Sequence, residues 1–260
     1  MTILDTIIAK KQEEILTRKQ QVPISMLENA PLFSRPTYSL KQALKHSHTG
    51  IIAEFKRKSP SKGWIAEQAD AGVIPQAYQH AGATGLSILT DTPFFGGQVQ
   101  DIISARPSVQ IPILRKDFMV DEYQLYEARA MGADVILLIA AALSPKEVAS
   151  LATLAHSLSL EVLLEIHNEE ELKHICADVD MVGVNNRNLK DFVVNVDYSF
   201  DLVNKIPSEC VKISESGLQD ARVVKELRRA GYQGFLMGEA FMKTPNPADS
   251  LQHFIHELTK

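Results

Sequence analysis

The stretch Ile51 to Gly63, IIAEFKRKSPSKG, carries an acid and a base two residues apart, Glu54 and Lys56. A strand alternates its faces with period two, so both point the same way as the apolar Ile52 beneath them. Burying an acid and a base on an apolar face costs free energy unless they are paired or used. One reading is a structural ion pair at a strand end. The other is a catalytic pair, because perturbed ionisable groups concentrate at functional sites. The same kind of residue recurs where later apolar runs end: Lys116 after Leu114, Glu165 after Leu163, Asn185 with Arg187 two further on, and Glu215 with Ser216 after Ile213. Each one alone reads equally well as a salt-bridge member. Brought to one place, two lysines, three glutamates and an amide tune one another's proton affinity, which general acid and base catalysis requires.

The elements that must position them are legible. Eight short apolar runs stand at 51–55, 85–90, 111–116, 134–140, 161–166, 181–186, 211–216 and 234–238. They are near-continuously apolar, as parallel strands covered on both faces should be. Helix signals fill the gaps. Ser144-Pro145-Lys146-Glu147 offers a cap, a first-turn proline and a capping-box glutamate, and Asn168 with Glu171 repeats the spacing. Asn246-Pro247 opens a last helix, and Gly231 ends the one before it. This alternation predicts an α/β fold, a (β/α)8 TIM barrel, which typically takes roughly 250 residues. An open doubly wound sheet would call for a glycine-rich turn after the first strand, and KRKSPSKG lacks it. Residues 1–48 hold no strand. Residues 3–16 predict an amphipathic helix with Ile3, Ile7 and Ile8 on one side and Lys10, Lys11, Glu13 and Glu14 elsewhere. A Pro-containing polar segment and a second helix near 40–45 follow. The expectation is one domain, 1–260, with a helical extension (1–48) packed on the barrel (49–260).

Barrels of this kind place chemistry at the C-terminal strand ends and often bind phosphate after strands seven and eight. Ser216-Gly217 follows the seventh run, and Gly238-Glu239-Ala240-Phe241-Met242 follows the eighth as a plausible short helix. Glycine permits close backbone approach there. Ser59 and Lys58 on the first loop are candidates to add a hydroxyl and a charge. The loop Thr90 to Gly97 carries Phe94 and Phe95, which either pack on a neighbouring loop or wall an aromatic ligand. Trp64 has the same two readings.

Composition excludes other classes. The 260 residues carry a net charge of -5 with no long basic run, so neither nucleic acid nor a membrane is an expected partner. No apolar run approaches a membrane span, and the N-terminus lacks the order of a secretory signal. Two cysteines, Cys176 and Cys210, without metal-type spacing fit a reducing cytoplasm. No metal site is expected, and the expected assembly is a monomer.

With these residues in view, the chain closely resembles the indole-3-glycerol phosphate synthase family of tryptophan biosynthesis over nearly its full length. The motifs are AEFKRKSPSKG at 53–63, LTDTPFFGG at 89–97, LRKDF at 114–118, LLEIHN at 163–168, VGVNNRNL at 182–189 and ISESG at 213–217. The resemblance implies a cofactor- and metal-free conversion of 1-(2-carboxyphenylamino)-1-deoxyribulose 5-phosphate into indole-3-glycerol phosphate, CO2 and water. It implies Lys116 as general acid in ring closure and Glu165 with Lys56 as the acid/base pair of dehydration. Glu54 would tune Lys56, and Asn185 and Glu215 would position the substrate. Arg187 and Ser216 would bind the substrate as part of the polar shell, while Phe94, Phe95 and Phe118 would grip the anthranilate ring. Ser59, Gly217, Gly238 and Glu239 would hold the phosphate. Some relatives have serine where this chain has Glu239, whose carboxylate would repel phosphate, so only its backbone N–H is expected to contribute. The extension would help cover the mouth. A Schiff-base aldolase on Lys116, the neighbouring isomerase of the pathway and a non-catalytic phosphosugar sensor are the competing readings.

Overall fold

The computed structural model describes residues 2–188 and 192–260; Met1 and Leu189, the last residue of the VGVNNRNL motif, lie outside them. Eight parallel strands close into a barrel: β1 (Ile51–Phe55), β2 (Gly85–Leu89), β3 (Ile113–Lys116), β4 (Val135–Ile139), β5 (Glu161–Ile166), β6 (Met181–Asn185), β7 (Val211–Glu215) and β8 (Gly234–Met237). Each run expected from the sequence is a strand, shorter by one or two residues at some ends. β1 pairs with β2 on one side and β8 on the other, which closes the ring. Both faces of the strands are covered. Outward residues such as Ile51, Ala53 and Phe55 pack into the layer between strands and helices, while Ile52, Leu114, Leu163, Met181 and Ile213 fill the interior.

The strand register brings the polar ends to one level. Glu165 pairs with Gly183 across β5 and β6, and Asn185 pairs with Glu215 across β6 and β7. The expected caps are present: Ser144 and Glu147 form a capping box, and Asn246 caps the last helix, Pro247–Thr259. Asn168 also caps, but the segment that follows, Glu169–His174, is a 3-10 helix rather than an α-helix. A two-residue hairpin, Lys58–Ser59 with Gly63–Trp64, was not legible in the sequence and shapes the first loop.

The extension runs the height of the barrel. Helix α1 (Ile3–Gln21) is longer than expected and stops just before Pro23; its first turn is closed by a Thr2–Asp5 capping box. A short helix α2 (Ile24–Glu28) follows in the Pro-containing polar segment. Ile15 of α1 and Leu27 of α2 pack with Tyr123 on the helix Tyr123–Met131. At the bottom, helix α3 (Leu40–His46) drives Leu40 and Leu44 into the interior beneath Ile52 and Ile213, plugging the barrel. Asp134 receives Arg35 (2.6 Å) and Arg106 (2.8 Å) there, and Glu161 accepts from Ser39 and from the Lys41 backbone. No helix among the described residues is long and apolar enough to cross a membrane.

One side chain departs from the sequence reading. Lys11, expected on the polar face of α1, is 2 % exposed and shares the buried stripe with Leu4, Ile7 and Ile15. Three carboxylates account for this. Its ammonium lies 2.9 Å from Glu14, 3.1 Å from Asp91 and 3.0 Å from Asp117. Burial disfavours the charged amine, but Asp117 and Asp91 outweigh that and raise its proton affinity above the ordinary lysine value. Asp117 also receives Arg115 (3.1 Å) and the Thr90 hydroxyl (2.6 Å), while Arg18 of α1 reaches Glu127 (2.6 Å). A buried ionic network therefore ties α1 to the rim at the ends of β2 and β3. Removing one member of such a network leaves an uncompensated buried charge. Lys11→Ala should cost about 3–5 kcal/mol of stability, read as a lowered urea midpoint at unchanged slope. An unchanged midpoint would show that α1 is not held this way.

Candidate active site

The strand ends open into a cavity of about 540 Å³, within the usual size range for small-molecule sites. Glu54, Lys56, Lys116, Glu165, Asn185, Arg187, Glu215 and Ser216 all line it. Lys116 is the hub. Its ammonium lies 2.8 Å from Glu165 and 3.7 Å from Glu215. Glu165 is 2 % exposed, and its other oxygen accepts from the Asn185 amide at 3.1 Å. Lys56 forms a separate pair with Glu54 at 2.7 Å, and the Ser87 hydroxyl also reaches Glu54, at 3.4 Å. Period-two alternation carried Glu54, Lys116, Glu165 and Glu215 inward, each two residues above an interior apolar side chain, Ile52, Leu114, Leu163 and Ile213.

Burial and charge act in opposite directions on these groups. For Lys116 burial disfavours the ammonium, yet the carboxylates around it, Glu165 foremost, overcome it and hold the proton well above the ordinary lysine range. For Glu165 burial favours the neutral acid, but Lys116 and His167 override it and keep the carboxylate ionised. Glu215 goes the other way. Burial, with Glu165 and Glu54 beyond, outweighs Lys116 and lifts its proton affinity well above the ordinary carboxylate range. Its Oε1 is buried without a hydrogen-bond partner. One lysine thus stands between an ionised and a neutral carboxyl, the separation of environments by which a single site holds both a base and an acid.

Two glycines make room for this arrangement. A Cβ on Gly183 of β6 would lie 2.1 Å from Glu215 Oε1, and one on Gly238 would lie 2.6 Å from Glu54 Oε1. Gly238 was expected as a phosphate contact; Gly183 was missed, although a glycine inside an apolar strand is a signal of close approach.

Around the charged cluster the cavity has distinct walls. Phe95 and Phe118, 6.0 Å between ring centroids, line it together with Ile3, Leu4 and Ile7 of α1. Phe94 does not line it. Its backbone N–H is instead bound by Asp91 as a helix cap for Thr92–Phe95, which turns only the second phenylalanine inward. The contribution of α1 was not legible residue by residue. On another arc of the rim, Ser59, Gly217, Gly238 and Glu239 line the cavity together. The Ser59 hydroxyl is buried and has no partner. Ser216 and Gly217 both have positive φ (69° and 76°), a strained turn for the serine and an allowed one for the glycine. Helix Glu239–Met242 starts at this rim as expected. Lys58, read as a possible charge here, turns away: it donates to the Pro93 carbonyl (3.0 Å) above the Trp64 ring. Trp64 is half exposed and packs on Gly96, outside the cavity. Lys62, which the sequence did not single out, lines it. The Arg187 guanidinium sits 3.9 Å from the Glu239 carboxylate, and its backbone N–H donates to Asn185 (3.0 Å). Among the described residues no cluster of three His, Cys, Asp or Glu side chains is arranged to hold a metal ion.

Fold and cavity together define a (β/α)8-barrel enzyme built for acid/base chemistry on a small molecule. The profile of the indole-3-glycerol phosphate synthase family matches residues 4–258. Indole-3-glycerol phosphate synthase of Bacteroides thetaiotaomicron is 53% identical over 256 residues, covering 98% of both chains. That of Acidithiobacillus ferrooxidans is 41% identical over 260 residues, covering 98% of this chain and 99% of the relative. The chain belongs to the indole-3-glycerol phosphate synthase family, the carboxy-lyases that perform the decarboxylating ring closure of tryptophan biosynthesis on a small phosphorylated substrate. Solved structures agree on the fold alone. The 3-hexulose-6-phosphate synthase of Salmonella typhimurium superimposes with a TM-score of 0.60 at 14% identity, covering 81% of this chain and 98% of that one. A thiamine phosphate pyrophosphorylase of Pyrococcus furiosus gives 0.61 at 13% identity, covering 85% and 98%.

The Gly183 contact generates a direct test. Gly183→Ala must displace the Glu215 carboxyl, and a displacement near 1 Å at a reacting centre costs on the order of 10²-fold in rate. The expected result is a fall in kcat of that order with an unchanged circular dichroism spectrum. Unaltered kcat would mean that the position of Glu215 does not matter to turnover.

Proposed function

We propose that Lys116 is the general acid of the ring closure. The observation that carries this is its position, 2.8 Å from Glu165 and 3.7 Å from Glu215 in a cavity with aromatic walls. As the ring carbon bearing the carboxylate attacks the ribulose carbonyl, negative charge develops on the carbonyl oxygen. An ammonium aimed at that oxygen stabilises the transition state more than the ground state, which raises kcat. The Lys116 proton passes to the oxygen, the new C–C bond forms, and loss of CO2 returns the ring to aromaticity. In the dehydration that follows, Glu165 takes a proton from the adjacent carbon and Lys56, held by Glu54, protonates the departing hydroxyl. Neutral Glu215 donates a hydrogen bond to the substrate, and Asn185 fixes Glu165.

Phe95, Phe118 and the apolar first turns of α1 receive the anthranilate ring. The phosphate sits on the partnerless Ser59 hydroxyl and the backbone N–H groups of Gly217, Gly238 and Glu239. Arg187 offsets the Glu239 carboxylate that would otherwise repel it. The free thiols of Cys176 and Cys210 support a reducing cytoplasm.

An indole-fluorescence assay with 1-(2-carboxyphenylamino)-1-deoxyribulose 5-phosphate tests the assignment. Lys116→Ala should lose on the order of 10²- to 10⁴-fold in kcat, the range for a general acid. Ser59→Ala should instead raise KM with little change in kcat, because a remote phosphate contact binds ground and transition states alike. Turnover by Lys116→Ala at the wild-type rate would contradict the assignment, and so would a covalent adduct at Lys116 trapped by borohydride.

A further inference from the structure

Behind Glu165 lies a group to which the mechanism above gives no role. His167 follows β5 by one residue and, two positions beyond Glu165, turns to the same side. Its Nε2 stands 3.4 Å from Glu165 Oε1 and is buried with no hydrogen-bond partner. Its Nδ1 lies 3.3 Å from Glu171 Oε2, and that same oxygen accepts the His167 backbone N–H at 2.7 Å. Glu171 is fixed in turn by the Asn168 side-chain amide (2.9 Å) at the start of the 3-10 helix. The imidazole is 12 % exposed, so this is a braced and largely dry carboxylate–imidazole–carboxylate array. Glu165 therefore has basic groups on two sides: Lys116 at Oε2 and His167 at Oε1.

We propose that His167 is a positioning residue for Glu165, an imidazolium braced by Glu171 that keeps the Glu165 carboxylate ionised and aimed into the cavity while Lys116 is engaged with the substrate. The inference rests on the reading of Glu165 as an acid/base group. Its logic is electrostatic. When Lys116 gives its proton to the substrate oxygen, it ceases to be a counter-ion. A buried carboxylate left alone would take up a proton and would no longer be a base. A second cation on its other oxygen prevents that. Burial works against a charged His167, but the Glu171 hydrogen bond and the Glu165 and Glu171 charges overcome it and raise its proton affinity above the ordinary histidine value. The charged and titratable groups around the array are Glu171 from the 3-10 helix, Glu165 on β5, Lys116 on β3 and Glu215 on β7, with the Asn185 amide of β6 on Glu165.

The test reads the Glu165 carboxyl itself, by 13C NMR titration of glutamate side chains in the intact protein, assigned with Glu165→Gln. In His167→Gln, which keeps a hydrogen-bond donor but no charge, the Glu165 midpoint should move to higher pH. It should move further in a Lys116→Met background, where His167 is the remaining cation beside it. Glu171→Gln, which weakens the brace, should move it in the same direction by less, and it serves if His167→Gln does not fold. In the turnover assay, kcat of His167→Gln should fall about 10- to 100-fold with little change in KM, the pattern of a misheld catalytic group. Stability follows the raised His167 proton affinity. The wild type should exceed His167→Gln most below about pH 6.5, the ordinary histidine value, and the difference should vanish as pH rises through the folded-state value. A Glu165 midpoint unmoved in both His167→Gln and Glu171→Gln overturns the proposal. Because the titration needs no turnover, a failure of the catalytic reading would appear separately, as a moved midpoint with unchanged kcat.

Discussion

A single buried ammonium organises the mouth of this barrel. Lys116 stands between two glutamates whose environments push their proton affinities apart, Glu165 below the ordinary carboxylate range and Glu215 above it. The Glu165 carboxylate is stabilised by that cation, and the cation tolerates its burial because carboxyl groups face it. The surrounding structure is arranged to keep the three together. Interior leucines and isoleucines set the height of each strand end, the register places Glu165 and Glu215 on either side of β6, and Gly183 leaves out the methyl that would push Glu215 away.

The extension serves the same end by a different route. Its last helix seals the barrel floor with Leu40 and Leu44, so the interior is a packed core rather than a channel. Its first helix lays Ile3, Leu4 and Ile7 against the cavity and inserts Lys11 between Asp91 and Asp117. Asp117 is the next residue after Lys116, and Asp91 caps the turn that sends Phe95 inward. One lysine of α1 thereby fixes the backbone beside the proposed acid and the aromatic wall together. A surface ion pair would add little here; this one works because it is desolvated and its partners are themselves hydrogen-bonded.

Much of this was legible in the sequence, for reasons that can be named. Parallel strands covered on both faces leave an unbroken apolar run, and period two then says which polar residue at its end faces inward; Glu54, Lys116, Glu165, Asn185 and Glu215 follow from those two rules. The family motifs added the order of roles. What stayed hidden depends on contacts far apart in the chain. Lys11 sits in a helix whose lysines and glutamates look uniformly solvated, and only the distant aspartates explain its burial. Phe94 and Phe95 are indistinguishable by type, and a cap by Asp91 decides which one turns inward. Lys58 looked as suited to an anion as Lys62 does, yet Trp64 and the Pro93 carbonyl draw it away. His167 passed as one letter of a motif because its meaning lies in Glu171, four residues on, and in the orphaned nitrogen it points at Glu165.

The claim on which all this turns is that Lys116 separates a neutral carboxyl from an ionised one. The most direct measurement is an infrared difference spectrum at neutral pH between the wild type and Glu215→Gln, with Glu165→Gln as the companion. The account predicts that the wild type shows the carbonyl stretch of a protonated carboxyl that disappears in Glu215→Gln, and that Glu165→Gln removes only carboxylate bands. A Glu215→Gln spectrum that loses carboxylate bands instead, with no protonated carboxyl in the wild type, would contradict the account.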